Sequence, residues 1–294
     1  MSKRILLFIA TNLAIMVMLS VVLGLLGVSG YITPGGGVDY GALMVFCLVW
    51  GMGGAFISLL ISRWIAKRAM GVKLVTGNTG QGELDWLYRT VERLTKQAQL
   101  PMPEVGVYDS PEVNAFATGP SRSKSLVAVS TGLLRTMRPE EVEGVLAHEV
   151  AHIQNGDMVT MTLIQGVVNA FVMFLSRIIA SIVRQAVDER YAYILGFVVT
   201  IALDILLGFL GMMVVAWFSR AREFRADAGG AALAGRGNMI SALRRLQTTQ
   251  QLVDNSEPAL ATLKISGGRA WALMATHPPL ETRIRALESG RTDA

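Results

Sequence analysis

The chain has 294 residues, 52% of them hydrophobic and only 17% charged, where an ordinary soluble domain is about a quarter charged. The apolar excess gathers in long runs, which points to a membrane protein. A single cysteine, Cys47, excludes an intrachain disulfide framework and any multi-cysteine zinc or redox centre. The net charge of +5 comes without an aromatic-interleaved basic patch, so its basic residues, which flank apolar segments, suit a membrane surface and not nucleic acid.

Ile5 to Val28 is an uncharged apolar run behind Lys3 and Arg4, long enough to cross a bilayer. It is too long for a typical signal-peptide core and no small-x-small cleavage site follows, so it reads as a retained first transmembrane helix. The Gly- and Pro-rich linker "SGYITPGGGVDY" carries no Lys or Arg. A second uncharged run, Gly41 to Ser62, ends on Arg63, Lys67, Arg68 and Lys73. Positive charge thus flanks the outer ends of this hairpin, which puts both ends on the cytoplasmic side. A polar region follows. In "GELDWLYRTVERLTKQAQL", Leu84, Leu87, Val91 and Leu94 share one helical face, and Pro101 and Pro103 stop the helix. "EVGVYDS", "VNAFATG" and "SLVAVSTG" read as three short strands. "RPEEVEGVLAHEVAHIQ" reads as a helix, with Pro139 in its first turn, acids early, and Asn155-Gly156 breaking it.

Met158 to Val183 is apolar apart from Arg177, and Tyr191 to Ser219 apart from Asp204. Both are expected to span the bilayer as a second hairpin, with Arg177 and Asp204 paired. That would leave Arg184 and Arg190 outside, against the positive-inside trend, which a re-entrant hairpin would avoid. After Arg220 the chain turns polar. "SRAREFRADAGGAAL" and "GNMISALRRLQTTQQL" read as helices, and "THPPLETRIRALES" as a turn leading into a last short helix.

Within the helix before the second hairpin, "HEVAH" places His148 and His152 four residues apart, on one helical face. Two imidazoles so spaced can bind one Zn²⁺, with Glu149 placed to act as a base on the attacking water. A catalytic zinc needs a third protein ligand. No histidine follows within the next turns, so the candidates are carboxylates. Glu223 and Asp227 in "EFRAD" are again four apart. One can bind metal while the other orients a ligand histidine, and Glu223 is the expected ligand.

HEVAH, an apolar hairpin, "EFRAD" and then "THPPLETRI", in this order, resemble the HtpX family of membrane zinc metalloproteases, relatives of the CAAX prenyl endoproteases. The resemblance runs from "LFIATNLAIMV" to the C-terminal "HPPLETRI". It implies one Zn²⁺ per chain held by His148, His152 and Glu223, with Glu149 as general base and Asp227 fixing a ligand histidine. His277 would donate to the oxyanion of the tetrahedral intermediate. Asn114, Ala115, Phe116 and Ala117 resemble the edge strand that takes up extended peptide in thermolysin-type proteases. The expected fold is a mainly α integral membrane protein: about four transmembrane helices and a zincin-like α+β catalytic domain with a small β-sheet. Its parts are an N-terminal transmembrane hairpin (1–64), the first part of a cytoplasmic metalloprotease domain (65–157), a second hairpin (158–219) and the second part of the catalytic domain (220–294). The implied role is cleavage of misfolded or damaged membrane proteins at the bacterial inner membrane under stress, with self-cleavage once zinc is loaded. Two other readings are a prenyl-protein endoprotease and a non-catalytic scaffold with a structural zinc, which would not need Glu149.

Overall fold

The computed structural model describes residues 2–28, 30–33, 37–256 and 274–290. It is mainly helical, and its contacts divide it into two compact units: residues 1–58 with 161–215, and residues 59–160 with 216–294.

The first unit draws on α1 (Ser2–Leu25), α2 (Tyr40–Met70), α6 (Asp157–Ala186) and α7 (Glu189–Ala234). Of these, α2, α6 and α7 are long and apolar enough to cross a membrane. The described apolar stretch of α1 is Leu13–Leu25. Large apolar side chains such as Phe171, Phe197 and Ile201 stand exposed along these helices, which suits a solvent of lipid tails. Small residues let the backbones approach: a Cβ on Gly51 would lie 2.5 Å from the Ala170 nitrogen, so α2 and α6 meet at a glycine. Arg177 and Asp204 do pair, at 3.5 Å, with Ser176 Oγ donating to the same Asp204 oxygen at 2.5 Å.

The second unit holds a four-stranded sheet, β1 (Lys73–Val75), β2 (Glu104–Tyr108), β3 (Ala115–Ser121) and β4 (Lys124–Ser130), in the order β1-β2-β4-β3. β2 and β4 run parallel and the outer pairs antiparallel. The three strands expected from the sequence are β2, β3 and β4. β1 has only three residues, too few for a periodic pattern to register. β4 is buried on both faces. Val127 and Val129 face the main core, and Leu126 and Ala128 the opposite side with Tyr108 and Phe116. Helix α3 (Gly82–Gln97) presents Leu87, Val91 and Leu94, fully buried, to that core.

The HEVAH helix is α5 (Pro139–Asn155), which follows the short α4 (Thr131–Thr136) and packs on β3, β4, α3 and α8 (Arg236–Ser256). Pro139 occupies its first turn, and the Glu141 carboxylate accepts the Arg138 backbone N–H at 2.9 Å, satisfying the donor at the start of the helix. Gly156, in the left-handed region at φ 71°, ends it. One difference from the sequence reading is continuity: the second membrane helix and the "EFRAD" helix are one 46-residue helix, α7, since no Pro or capping signal interrupts Ser219 to Ala234. The last helix is α9 (Leu280–Ser289).

Candidate metal centre

Four elements of the second unit converge on the site. α5 supplies His148, Glu149 and His152, and α7 supplies Glu223 and Asp227. The turn before α9 supplies His277, and α9 itself Arg283. The helix spacing puts His148 and His152 on the same inward face, both 8% exposed. α7 can lie close against that face because it carries Gly229 and Gly230. A Cβ on Gly229 would sit 2.8 Å from the Ala151 Cβ, and one on Gly230 3.1 Å from the His148 nitrogen. Glu223 and Asp227, the one two turns and the other one turn before this glycine pair, are thereby carried in and fully buried.

Each histidine is fixed through its Nδ1. His148 Nδ1 lies 3.0 Å from Asp227 Oδ1, and His152 Nδ1 lies 2.6 Å from Asp157 Oδ2. A carboxylate only accepts, so both Nδ1 atoms carry the proton and both Nε2 atoms are left with lone pairs. Those Nε2 atoms face each other at 3.0 Å. Glu223 completes the group, Oε2 being 3.5 Å from His148 Nε2 and Oε1 3.5 Å from His152 Nε2. Both Glu223 oxygens are buried, and neither has a hydrogen bond of good geometry among the described residues. The ligand atoms of His148, His152 and Glu223 all lie within 4.8 Å of one another. Buried lone pairs facing one another repel unless a cation lies among them, and two imidazoles with one carboxylate are a donor set that fits a divalent metal.

The electrostatics agree. Burial pushes the His148 imidazole down, but hydrogen bonds to Asp227 and Glu223 outweigh it and raise it to about 9. A proton therefore competes with a metal for the His148 Nε2 lone pair. Burial pushes Glu223 up, yet the His148 and His277 imidazoles and the Arg283 guanidinium hold its carboxyl below the usual range. Asp227 is likewise held down against burial by Arg283 and His148.

Two members of the cluster were not singled out from the sequence. Arg283, 6% exposed, grips Asp227 through Nε and Nη2 at 2.7 and 2.6 Å and reaches Glu223 Oε2 at 3.2 Å. It lies inside the quoted "HPPLETRI", but nothing local distinguishes it from a surface arginine. Asp157, 1% exposed, stands just past the helix-ending Gly156, outside the His-Glu-x-x-His spacing.

A cavity of about 210 Å³ opens on the cluster, lined among others by Asn114, Ala115, His148, Glu149, Glu223 and His277. His277 is exposed, with Nδ1 3.0 Å from Glu223 Oε2. Of the four candidate edge-strand residues, Asn114 and Ala115 line this cavity. Phe116 packs on Tyr108, on the sheet's other face, and Ala117 packs against the main core. β3 is the outermost strand on this side of the sheet.

A membrane protein carrying this buried His-His-Glu group is, as a class, a membrane metalloprotease. Residues 82–291 match Peptidase family M48. The chain is 50% identical over 298 residues to a Protease HtpX homolog of Methylacidiphilum infernorum, covering 98% of this chain and 99% of that one. It is 52% identical to the Protease HtpX homolog of Bacillus subtilis and 50% identical to Protease HtpX of Idiomarina loihiensis, covering 98% of this chain and 100% of each relative. Its fold is similar to that of a crystal structure of S. mikatae Ste24p, with a TM-score of 0.65 at 22% identity. That match covers 98% of this chain but only 64% of the longer Ste24p chain. The chain belongs to peptidase family M48, among the HtpX proteases.

Proposed function

We propose that the protein is a zinc endopeptidase of the bacterial inner membrane that degrades misfolded or damaged membrane proteins from the cytoplasmic side. His148, His152 and Glu223 hold one Zn²⁺ per chain. The observation that carries this is the convergence of two imidazoles and a buried carboxylate, their ligand atoms within 4.8 Å of one another, beside Glu149. When bound, the zinc supplies a Lewis acid that polarises the scissile carbonyl and acidifies water.

The other steps belong to the chain's own side chains. Glu149 takes the proton of the attacking water and delivers it to the leaving amine. Asp227 and Asp157 keep the two imidazoles in the tautomer that presents Nε2. Arg283 neutralises the excess negative charge of Asp227 and Glu223. His277 lines the same cavity with Nδ1 3.0 Å from Glu223 Oε2, and turns from that carboxylate to donate its N–H to the developing oxyanion. Substrate lies extended along the free edge of β3, where main-chain bonds accept any sequence and Asn114 and Ala115 lead to the cavity. The hairpins 1–64 and 158–219 serve as multi-pass membrane anchors, and 65–157 with 220–294 as the catalytic domain. A zinc-loaded enzyme of this kind also cleaves itself. The full-length match to the HtpX proteases, against 64% coverage of Ste24p, favours this reading over a prenyl endoprotease.

The test sets two carboxylates against each other. Glu149→Gln should keep about one zinc per chain while losing about 10²–10⁴-fold in casein hydrolysis. Glu223→Gln should lose zinc first and regain part of its activity in excess zinc. Wild-type turnover by zinc-loaded Glu149→Gln overturns the assignment.

A further inference from the structure

The first unit carries a second cavity, of about 520 Å³, lined by α2, α6 and α7. Its wall includes Trp50, Gln165, Asn169, Met173, Asp204 and Phe209. Three of these fall near the middle of their apolar runs: Trp50 between Gly41 and Ser62, Asn169 between Met158 and Val183, and Asp204 between Tyr191 and Ser219. If those runs cross the bilayer, the cavity lies at midplane depth, where polar groups are costly unless paired or used.

These groups are only partly paired. Gln165 Nε2 donates to Asn169 Oδ1 at 2.8 Å. That leaves Gln165 Oε1 as an acceptor and the Asn169 amide as a donor. Asp204 gives one oxygen to Ser176 and Arg177, and its side chain stays 36% exposed. The indole N–H of Trp50 is buried and finds no acceptor among the described residues. With the Trp50 N–H enclosed, the donors and acceptors that the wall offers are those of Gln165, Asn169 and Asp204, beside a flexible thioether and an aromatic ring that suit an apolar body.

We propose that this cavity binds a membrane-spanning segment of a protein substrate through an uncovered hydrogen-bonding side chain, such as Asn, Gln or Ser. The inference rests on the reading above that the substrates are membrane proteins. Lipid tails bring no hydrogen-bonding group to this depth, and headgroups stay at the interface. A correctly assembled membrane protein buries such side chains against its own helices. A misassembled one exposes them to lipid, so the cavity selects substrates by the defect itself.

The test reads binding apart from cleavage. Full-length Glu149→Gln protein is placed in nanodiscs of phosphatidylethanolamine and phosphatidylglycerol. It is titrated with two fluorescent Leu-rich peptides of about 20 apolar residues, one with a central Asn and the other with Leu. The Asn peptide should bind about three- to twentyfold more tightly, the range of single polar contacts between membrane helices. Asn169→Leu removes the polar group and should abolish the preference. Gly208→Phe fills the cavity from a wall position where an added Cβ meets no atom within 4 Å, so it should block the Asn peptide without disturbing the helices. Equal affinity of wild-type cavity for the two peptides, as a lipid-filled cavity would give, overturns the proposal. So does a preference that survives Gly208→Phe. Casein hydrolysis by the same variants in a Glu149 background keeps the readings apart. A failed protease assignment leaves the peptide preference standing, and a failed cavity leaves casein turnover standing.

Discussion

Asp157 illustrates how much of a metal site lies outside its ligands. It is buried at the start of α6, accepts a hydrogen bond from His152 Nδ1 at 2.6 Å, and has Arg225 3.5 Å from its other oxygen. Without it, His152 would be free to swap tautomer or rotate, and Nε2 would no longer be committed to metal. Asp157→Ala is expected to weaken zinc binding about 10–100-fold, read by competition against a chromophoric chelator, and excess zinc should restore part of the activity. Unchanged affinity would remove Asp157 from the site. His148, His152 and Glu149 were legible in the sequence because one helix presents them at a fixed spacing. Glu223 and Asp227 were legible for the same reason on a second helix. Arg283 and Asp157 were not, because what defines them is a partner 56 residues away for Arg283 and a helix break for Asp157. Spacing encodes neither.

At the level of elements, the site depends on how closely α7 lies against α5. Gly229 faces Ala151 so tightly that any added Cβ must displace backbone or methyl. Gly229→Val should push α7 outward and cost about 1–3 kcal/mol of stability, with loss of zinc even though no ligand is changed. Zinc content and thermal unfolding of the detergent-solubilised protein measure both. The start of α5 carries a separate safeguard. Glu141, 4% exposed, caps the helix and meets Arg138 and Arg245. Burial pushes its carboxyl up, but bonds from Arg138 and the charge of Arg245 bring it below the ordinary value. A depressed folded value means stabilisation that is complete above the unfolded value and lost as pH falls through the folded one. Glu141→Gln should therefore be less stable at pH 7 by about 1–2 kcal/mol, and the gap should close as the pH drops below about 4. A gap that persists at low pH would assign the effect to packing. Elements with a clear period or a proline boundary, α3 and α5 above all, could be read in advance. The short β1 offered no period, and the join inside α7 offered no break, so neither could.

For the whole molecule, the distribution of Lys and Arg predicts which side of the membrane each segment faces. The linker between α1 and α2 has no Lys or Arg, while Arg63, Lys67 and Arg68 follow the α2 apolar run. Arg220, Arg222 and Arg225 likewise follow the apolar part of α7. The positive-inside rule predicts from these clusters that both halves of the catalytic domain face the cytoplasm. The linker between α6 and α7 runs the other way, since Arg184 and Arg190 flank it. Asp188 and Glu189 lie in the same short stretch, but acids count little in setting orientation. The lengths of α6 and α7, 30 and 46 residues, are what favour full crossing. Alkaline phosphatase fused at Tyr31 and at Val187 should be active, as expected outside the cytoplasm. A fusion at Ser123, in the turn between β3 and β4, should be inactive. Activity at Tyr31 alone would make the second hairpin re-entrant and bring Asp204 toward the cytoplasmic face, which would remove the basis for a midplane substrate cavity. Activity at Ser123 with silence at Tyr31 would invert the orientation and expose the metal centre to the opposite compartment, where cytoplasmic quality control is excluded.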